Sequence, residues 1–141
     1  MSEKLIISSS SFLLPNHPAW NLLGEKFDLN FKYIGNFSSA FLSKNDDEII
    51  VSILFFPDLY DENLPNDVDE NKINDPIIEL VKRKTEKSKK PIIFALSSWS
   101  SFNIINSVFQ KPLSEKIFLD FTSKLSLLQK THPNVYFFNL D

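Results

Sequence analysis

Five short apolar segments recur along the chain, separated by stretches in which apolar residues return at helical spacing. The apolar segments are almost uniformly hydrophobic, which is typical of parallel strands that are covered on both faces. We predict strands at 4–8, 31–34, 48–56, 92–96 and 135–138. Because strands that alternate with helices form parallel sheets, the pattern predicts a three-layer α/β domain with a five-stranded parallel sheet. We expect the flavodoxin-like strand order 2-1-3-4-5.

Helices are predicted in the intervals between the strands. The first is expected over about 16–27, and a short second one begins at Ser38 or Ser39 and reaches residue 44. Asp75 is expected to cap the third helix with Pro76 at its first position, where proline is tolerated. Ser114 is expected to begin the fourth. The acidic stretch 58–76 lacks periodicity and is predicted to be a long loop.

The length and composition favour one packed domain over residues 1–141. The hydrophobic fraction of 43% and the 14 phenylalanines supply a sizeable core. A three-layer domain normally covers its last strand with a further helix, and none is predicted here. We therefore expect the chain to be the N-terminal part of a longer protein, with a partner or a dimer over that face as the alternative.

Composition and charge exclude several classes of function. The absence of cysteine excludes disulfides, thiol catalysis and cysteine-ligated metals. The net charge of −3 argues against nucleic-acid binding, and the basic run 82–90 is interpreted as the solvated end of a helix. No membrane span, signal peptide, metal site or cofactor site is predicted, so we expect a cytoplasmic protein.

Polar residues follow the predicted strands, at the sheet edge where open α/β proteins bind ligands. A serine run follows the first strand and another follows the fourth, so these residues are predicted to line a binding crevice. Its members are Ser9, Ser10, Ser11, Gly35, Asn36, Asp58, Ser97, Ser98 and Trp99. The same serines could instead provide a nucleophile. The neighbouring residues decide between a binding crevice and a catalytic site.

A phosphoacceptor receiver domain is excluded by position. Its chemistry needs an acidic pair after the first strand and a lysine after the fifth. Asp58 fits the place after the third strand, but serines follow the first strand and Asn139-Leu-Asp141 follows the fifth. The chain therefore lacks the groups that would hold magnesium and balance a phosphate.

The order of strands and turns resembles the SGNH (GDSL-type) hydrolase fold. The resemblance implies Ser11 as nucleophile, with Ser10 as its rival, and Gly35 as a backbone oxyanion donor. The family's asparagine after the third strand is replaced by Pro57, which cannot donate a hydrogen bond. Losing one oxyanion donor costs on the order of 10² to 10³ in rate.

The general base of that family is also missing. Its Asp-x-x-His block should follow the fifth strand, whereas His132 precedes that strand and His17 lies early in the first helical segment. A serine without a base is a poor nucleophile. The pattern therefore indicates a degenerate hydrolase fold and leans against an enzyme.

Three segments together resemble the SGNH-like N-terminal region of FkbH-like proteins: Ser10-Ser-Phe12, the stretch 57–61 (Pro-Asp-Leu-Tyr-Asp), and the closing stretch 134–141. That resemblance implies an accessory domain beside a HAD-superfamily domain, in glyceryl or acyl carrier loading or in a surface-polysaccharide pathway. Its partners would be other domains of the same protein or a carrier protein. Two alternatives stay open: an esterase or acyl hydrolase that uses Ser11 with a base beyond residue 141, and a flavodoxin-like interaction module.

Overall fold

The computed structural model describes residues 3–10, 19–34, 36–59, 68–98 and 111–140. These residues form five strands, four α-helices and one 3-10 turn. In chain order they are β1 Glu3–Ser9, α1 Ala19–Gly24, β2 Phe27–Ile34, α2 Ser39–Leu42, β3 Ile49–Phe55, the 3-10 turn Phe56–Leu59, α3 Glu70–Lys87, β4 Ile92–Ser97, α4 Lys111–Thr131 and β5 Val135–Asn139.

The five strands make one sheet in the order β2-β1-β3-β4-β5, and every neighbouring pair is parallel. The predicted fold class and strand order are therefore confirmed. The register of β1 against β2 shifts between Ile6 and Ser8, whereas its register against β3 is regular. The side chains of β1 from Leu5 to Ser9 are buried, because apolar clusters pack on both faces of the sheet.

Two predicted boundaries at the first crossover are wrong. Helix α1 ends at Gly24, and β2 begins at Phe27 rather than at Phe31. The reason is a period of two: Phe27, Leu29 and Phe31 are partly buried, and the polar residues between them are exposed. This alternation suits an edge strand with one solvated face, whereas a search for uniformly apolar strands finds only the last part of β2.

The predicted start of α3 is also wrong. The helix begins at Glu70 and is capped by Asp69, whose carboxylate accepts a hydrogen bond from the Asn71 amide at 3.0 Å. Pro76 therefore lies inside the helix, not at its first position. Asp69 and Asp75 are both suited to cap a helix in this segment. The helix starts after Asp69, the earlier of the two, and its additional first turn packs against α4. Helix α4 likewise starts at Lys111, before the predicted Ser114.

The larger part of the core lies between one face of the sheet and helices α2, α3 and α4. Phe94 of β4 stacks on Phe41 of α2 at 5.8 Å between ring centroids and meets Phe121 of α4 edge-on, also at 5.8 Å. Phe56, just after β3, packs edge-on against Phe121 at 5.3 Å. These aromatic contacts join α2, α4, β4 and the 3-10 turn into one cluster.

The opposite face of the sheet carries a smaller apolar cluster built on Leu5, Ile7 and Ile49. Helix α1 contributes Trp20, whose ring meets Phe31 edge-on at 5.1 Å between centroids. Successive residues of a strand point to opposite faces, so Ile6 joins the larger cluster while its neighbours join the smaller one. The two faces are therefore covered unequally by the described elements.

Helices α3 and α4 are also joined by a polar network. The Asn74 side-chain amide, fully buried on α3, donates to the Ile117 carbonyl and to the Asp120 carboxylate of α4, each at 2.9 Å. The Lys124 ammonium lies 2.8 Å from Asp120 and also contacts Asp75. Burial alone would lower the pKa of Lys124, but its hydrogen bonds and attraction to Asp120 and Asp75 outweigh it and raise that pKa.

Phe121→Ala should destabilise the protein by about 3–5 kcal/mol, because it removes a fully buried ring and leaves a cavity among aromatic neighbours. Leu119→Ala on the same helix is the matched control, since Leu119 is exposed, and it should change stability by less than about 0.5 kcal/mol. Urea unfolding followed by circular dichroism measures both. Equal effects would contradict the described core.

Lys124→Met should lower the free energy of unfolding by about 1–2 kcal/mol at neutral pH. It removes the charged hydrogen bonds of Lys124 to Asp120 on the same helix and to Asp75 on α3. The pKa of Lys124 is raised in the folded protein from 10.5, so its contribution is complete below pH 10.5 and is lost as the pH rises through the folded value. Stability measured from pH 8 to 12 should therefore converge for wild type and Lys124→Met. Lys130→Met, at an exposed position of α4, should show no such convergence.

Candidate functional site

The three described serines at the end of β1 differ in burial. Ser8 and Ser9 are fully buried, and Ser10 is partly buried. The hydroxyl groups of Ser8 and Ser52 of β3 form a hydrogen bond of 2.5 Å, on the face of the sheet that helices α2, α3 and α4 cover. This pair satisfies two hydroxyls in an apolar core, where an unpaired hydroxyl would be costly.

Ser10 continues the pairing of β1 with β3 beyond the last residue of β1. Its backbone amide donates to the Ile53 carbonyl at 3.1 Å, as a ladder bond would. Its hydroxyl oxygen then accepts a hydrogen bond from the Phe55 amide at 2.9 Å, and the hydroxyl is 3.4 Å from the Phe55 carbonyl. The hydroxyl therefore takes the place of a backbone acceptor and holds the ends of β1 and β3 together.

The remaining described members of the predicted crevice are placed at the same edge. Ser97 and Ser98 are buried at the end of β4, Asp58 is partly buried in the 3-10 turn after β3, and Asn36 is exposed after β2. The Asn36 amide donates to the Tyr33 carbonyl, and its own carbonyl accepts from the Ser39 amide at 3.2 Å. Asn36 thus shapes the turn into α2.

Three predicted site residues, Ser11, Gly35 and Trp99, lie outside the described residues. The first part of the predicted first helix and residues 60–67 of the predicted acidic loop also lie outside them, and residues 70–76 of that predicted loop belong to α3. The predicted nucleophile and backbone oxyanion donor therefore stay predictions, and Ser10 is the candidate nucleophile whose surroundings are described.

No general base accompanies Ser10 among the described residues. His132 follows α4 and precedes β5, so it lies at the opposite edge of the sheet. Its imidazole Nδ1 is 2.8 Å from the Thr131 hydroxyl, and its backbone carbonyl accepts from the Val135 amide. The second histidine of the chain, His17, is outside the described part.

The SGNH resemblance would place an oxyanion donor directly after β3. Pro57 lies in the turn Phe56–Leu59 directly after β3 and offers neither an N–H nor a side-chain donor. In the part of the chain that the structure describes, no group of three or more histidine, aspartate or glutamate side chains is arranged to hold a metal ion. The same part contains no helix long and apolar enough to cross a membrane.

These features define an α/β protein with an all-parallel, five-stranded sheet whose carboxyl edge is rich in serine. Comparison of the chain with protein-family models, with curated proteins and with solved structures found no match. Function is therefore inferred from the geometry of the chain itself.

An apolar groove lies on the sheet face that carries α1, and the sequence patterns did not locate it. The groove has a volume of about 380 Å³ and is lined by apolar residues of α1, of all five strands and of positions that flank the strands. Phe138 of β5 lines it and is 51% exposed. The signal in the sequence is the apolar residues on that face of the strands. Among the described elements, the short helix α1 packs there and leaves Phe138 half exposed.

A second feature that sequence reasoning missed is the burial of Lys84. The basic run 82–90 was interpreted as solvated, which fits the exposed Lys82, Arg83 and Lys87. Lys84 departs from this interpretation because its side chain is only 2% exposed. Its spacing of three from the buried Val81 places it on the inner face of α3, and that spacing is the one available signal.

Ser10→Ala should destabilise the protein by about 1–2 kcal/mol, because the Phe55 amide loses its acceptor in a partly buried position. Ser38→Ala is the matched control, since the Ser38 hydroxyl makes no cap hydrogen bond with α2, and it should be neutral within about 0.5 kcal/mol. Amide hydrogen exchange should show faster exchange of the Phe55 amide in Ser10→Ala alone. Unchanged protection of that amide would contradict the structural role of the hydroxyl.

Proposed function

We propose that this chain is a non-catalytic SGNH-like accessory domain of an FkbH-like biosynthetic protein, acting by docking a substrate or a partner. The observation that carries the proposal is the hydrogen bond from the Phe55 amide to the Ser10 hydroxyl at 2.9 Å. A hydroxyl that replaces a backbone carbonyl as the acceptor between two strands has a structural role in the sheet. A nucleophile would instead need a base within hydrogen-bond reach.

The surroundings of Ser10 support the same conclusion. Pro57 takes the place of an oxyanion donor, and the described histidine, His132, lies at the other edge of the sheet. An acyl transfer without base and oxyanion donor lacks the two largest contributions that such a site supplies. The partners proposed on this basis are a carrier protein or a neighbouring domain, in carrier loading or surface-polysaccharide synthesis.

A protein-interaction module of flavodoxin-like shape is the second candidate, and the apolar groove favours it. A face with this much exposed apolar surface is typical of interaction sites. The two candidates agree that the chain binds rather than cleaves, and they differ in the surface used. The esterase alternative depends on Ser11 and on a base that the described residues do not contain.

Hydrolysis of p-nitrophenyl acetate and butyrate tests the non-catalytic proposal. We expect the wild-type protein, Ser10→Ala and Ser11→Ala to give the same rate as protein-free buffer, because the Ser10 hydroxyl is bonded to the Phe55 backbone and residues 1–141 contain no Asp-x-x-His block. Ser38→Ala is the control for nonspecific effects of removing a hydroxyl. A wild-type rate above buffer that disappears in Ser11→Ala, but not in Ser38→Ala, would establish the esterase alternative and refute the proposal.

A further inference from the structure

A cleft of about 430 Å³ lies between α2 and the second half of α3, at the edge of the sheet opposite the serines. We call it the basic cleft. Its lining includes the cationic residues Lys44, Arg83, Lys84 and Lys87, and the carboxylate Asp46. The chain as a whole has a net charge of −3, so this local excess of positive charge is opposite in sign to the protein that carries it.

Lys84 forms the floor of the cleft and has a structural role. Its ammonium group donates to the Ser43 carbonyl at 2.9 Å, to the Asn45 carbonyl at 2.8 Å and to the Asp46 carboxylate at 3.1 Å. These three bonds use all of its donors. They fix the loop that follows α2 onto α3, and the Asp46 charge is paired with the Lys84 charge.

The other three cations are exposed and only weakly paired. Arg83 contacts Glu79 on the same helix at 3.4 Å, with both side chains more than half exposed, and such a pair contributes little. Lys44 and Lys87 are exposed on the two sides of the cleft. Because Lys84 already neutralises Asp46, the cleft presents Lys44, Arg83 and Lys87 as its available charge.

The cleft also has an apolar wall. Leu42 of α2 is 65% exposed, and it lines the cleft together with Phe41 and Leu80. An exposed leucine beside three cations does not suit a small anion, which would gain nothing from the apolar wall. A partner that offers carboxylates around one apolar side chain would use both parts of the lining.

We propose that the basic cleft binds an acidic protein segment that carries an apolar anchor. The anchor packs against Leu42 and Leu80, and the flanking carboxylates face Lys44, Arg83 and Lys87. This inference goes beyond the proposed function because it assigns a second surface, on the other edge of the sheet, and the chemistry of its partner. The inference does not depend on whether any serine is reactive.

A short fluorescein-labelled peptide with glutamates around a central leucine is the probe. Fluorescence anisotropy measures binding, and backbone amide chemical shifts locate it. We expect shifts in α2, in the loop after it and in the second half of α3. Lys44→Glu/Lys87→Glu should weaken binding about tenfold or more, because it places like charges against the peptide, and Leu42→Ser should weaken it about threefold to tenfold.

Lys26→Glu/Lys130→Glu is the matched control, since both lysines are exposed, neither lines the cleft, and the charge change is the same. The proposal is overturned if the peptide shifts no cleft residue, or if the control weakens binding as much as the cleft variant. It is equally overturned if inorganic phosphate or phosphatidylserine vesicles bind at the cleft and the peptide does not. Self-association that Lys44→Glu/Lys87→Glu abolishes would identify a second copy as the occupant instead.

Discussion

The pairing of β1 with β3 is the interaction on which the rest of the structure depends. It lies inside the order β2-β1-β3-β4-β5, so it joins the β2–β1 part of the sheet to the β3–β4–β5 part. The pairing is reinforced inside the core by the Ser8–Ser52 hydrogen bond and at its end by the bond from Phe55 to Ser10. The hydroxyls of Ser8 and Ser10 are therefore components of the sheet.

The polar groups at the two edges of the sheet have different surroundings. At the carboxyl edge, the end of β1 is held by Ser10, and Pro57 follows β3 where a donor would be needed. At the opposite edge, Lys84 fixes the loop before β3 to α3 and leaves other cations exposed. The Ser10 hydroxyl at the first edge is bonded within the sheet, whereas Lys44, Arg83 and Lys87 at the second are exposed.

The sequence was sufficient to predict the fold class and the strand order, because uniformly apolar segments separated by helices leave few arrangements. It was insufficient where tertiary contacts decide. β2 starts four residues early because its alternating residues pack on one face, and α3 starts at Glu70 because its first turns pack on α4. Periodicity does not report either contact.

The position of the described serines at the strand ends was predictable, but the roles of their side chains were not. The position of Ser10 after β1 follows from the sequence, yet the use of its hydroxyl depends on the register of β1 against β3, which only the structure supplies. The burial of Lys84 within a basic run depends in the same way on the loop after α2. Ser10 and Lys84 each have a polar side chain that is hydrogen-bonded to the backbone of another segment, although the neighbouring sequence predicts an exposed side chain.

Reaction with a fluorophosphonate, followed by mass spectrometry of the intact protein, tests the central claim most directly. The reagent forms an adduct with serines that a neighbouring base activates, and it does so without requiring the correct substrate. Our account predicts an unchanged mass, under conditions in which an active serine hydrolase treated in parallel is fully labelled. A stoichiometric adduct on Ser10 or Ser11 would contradict it.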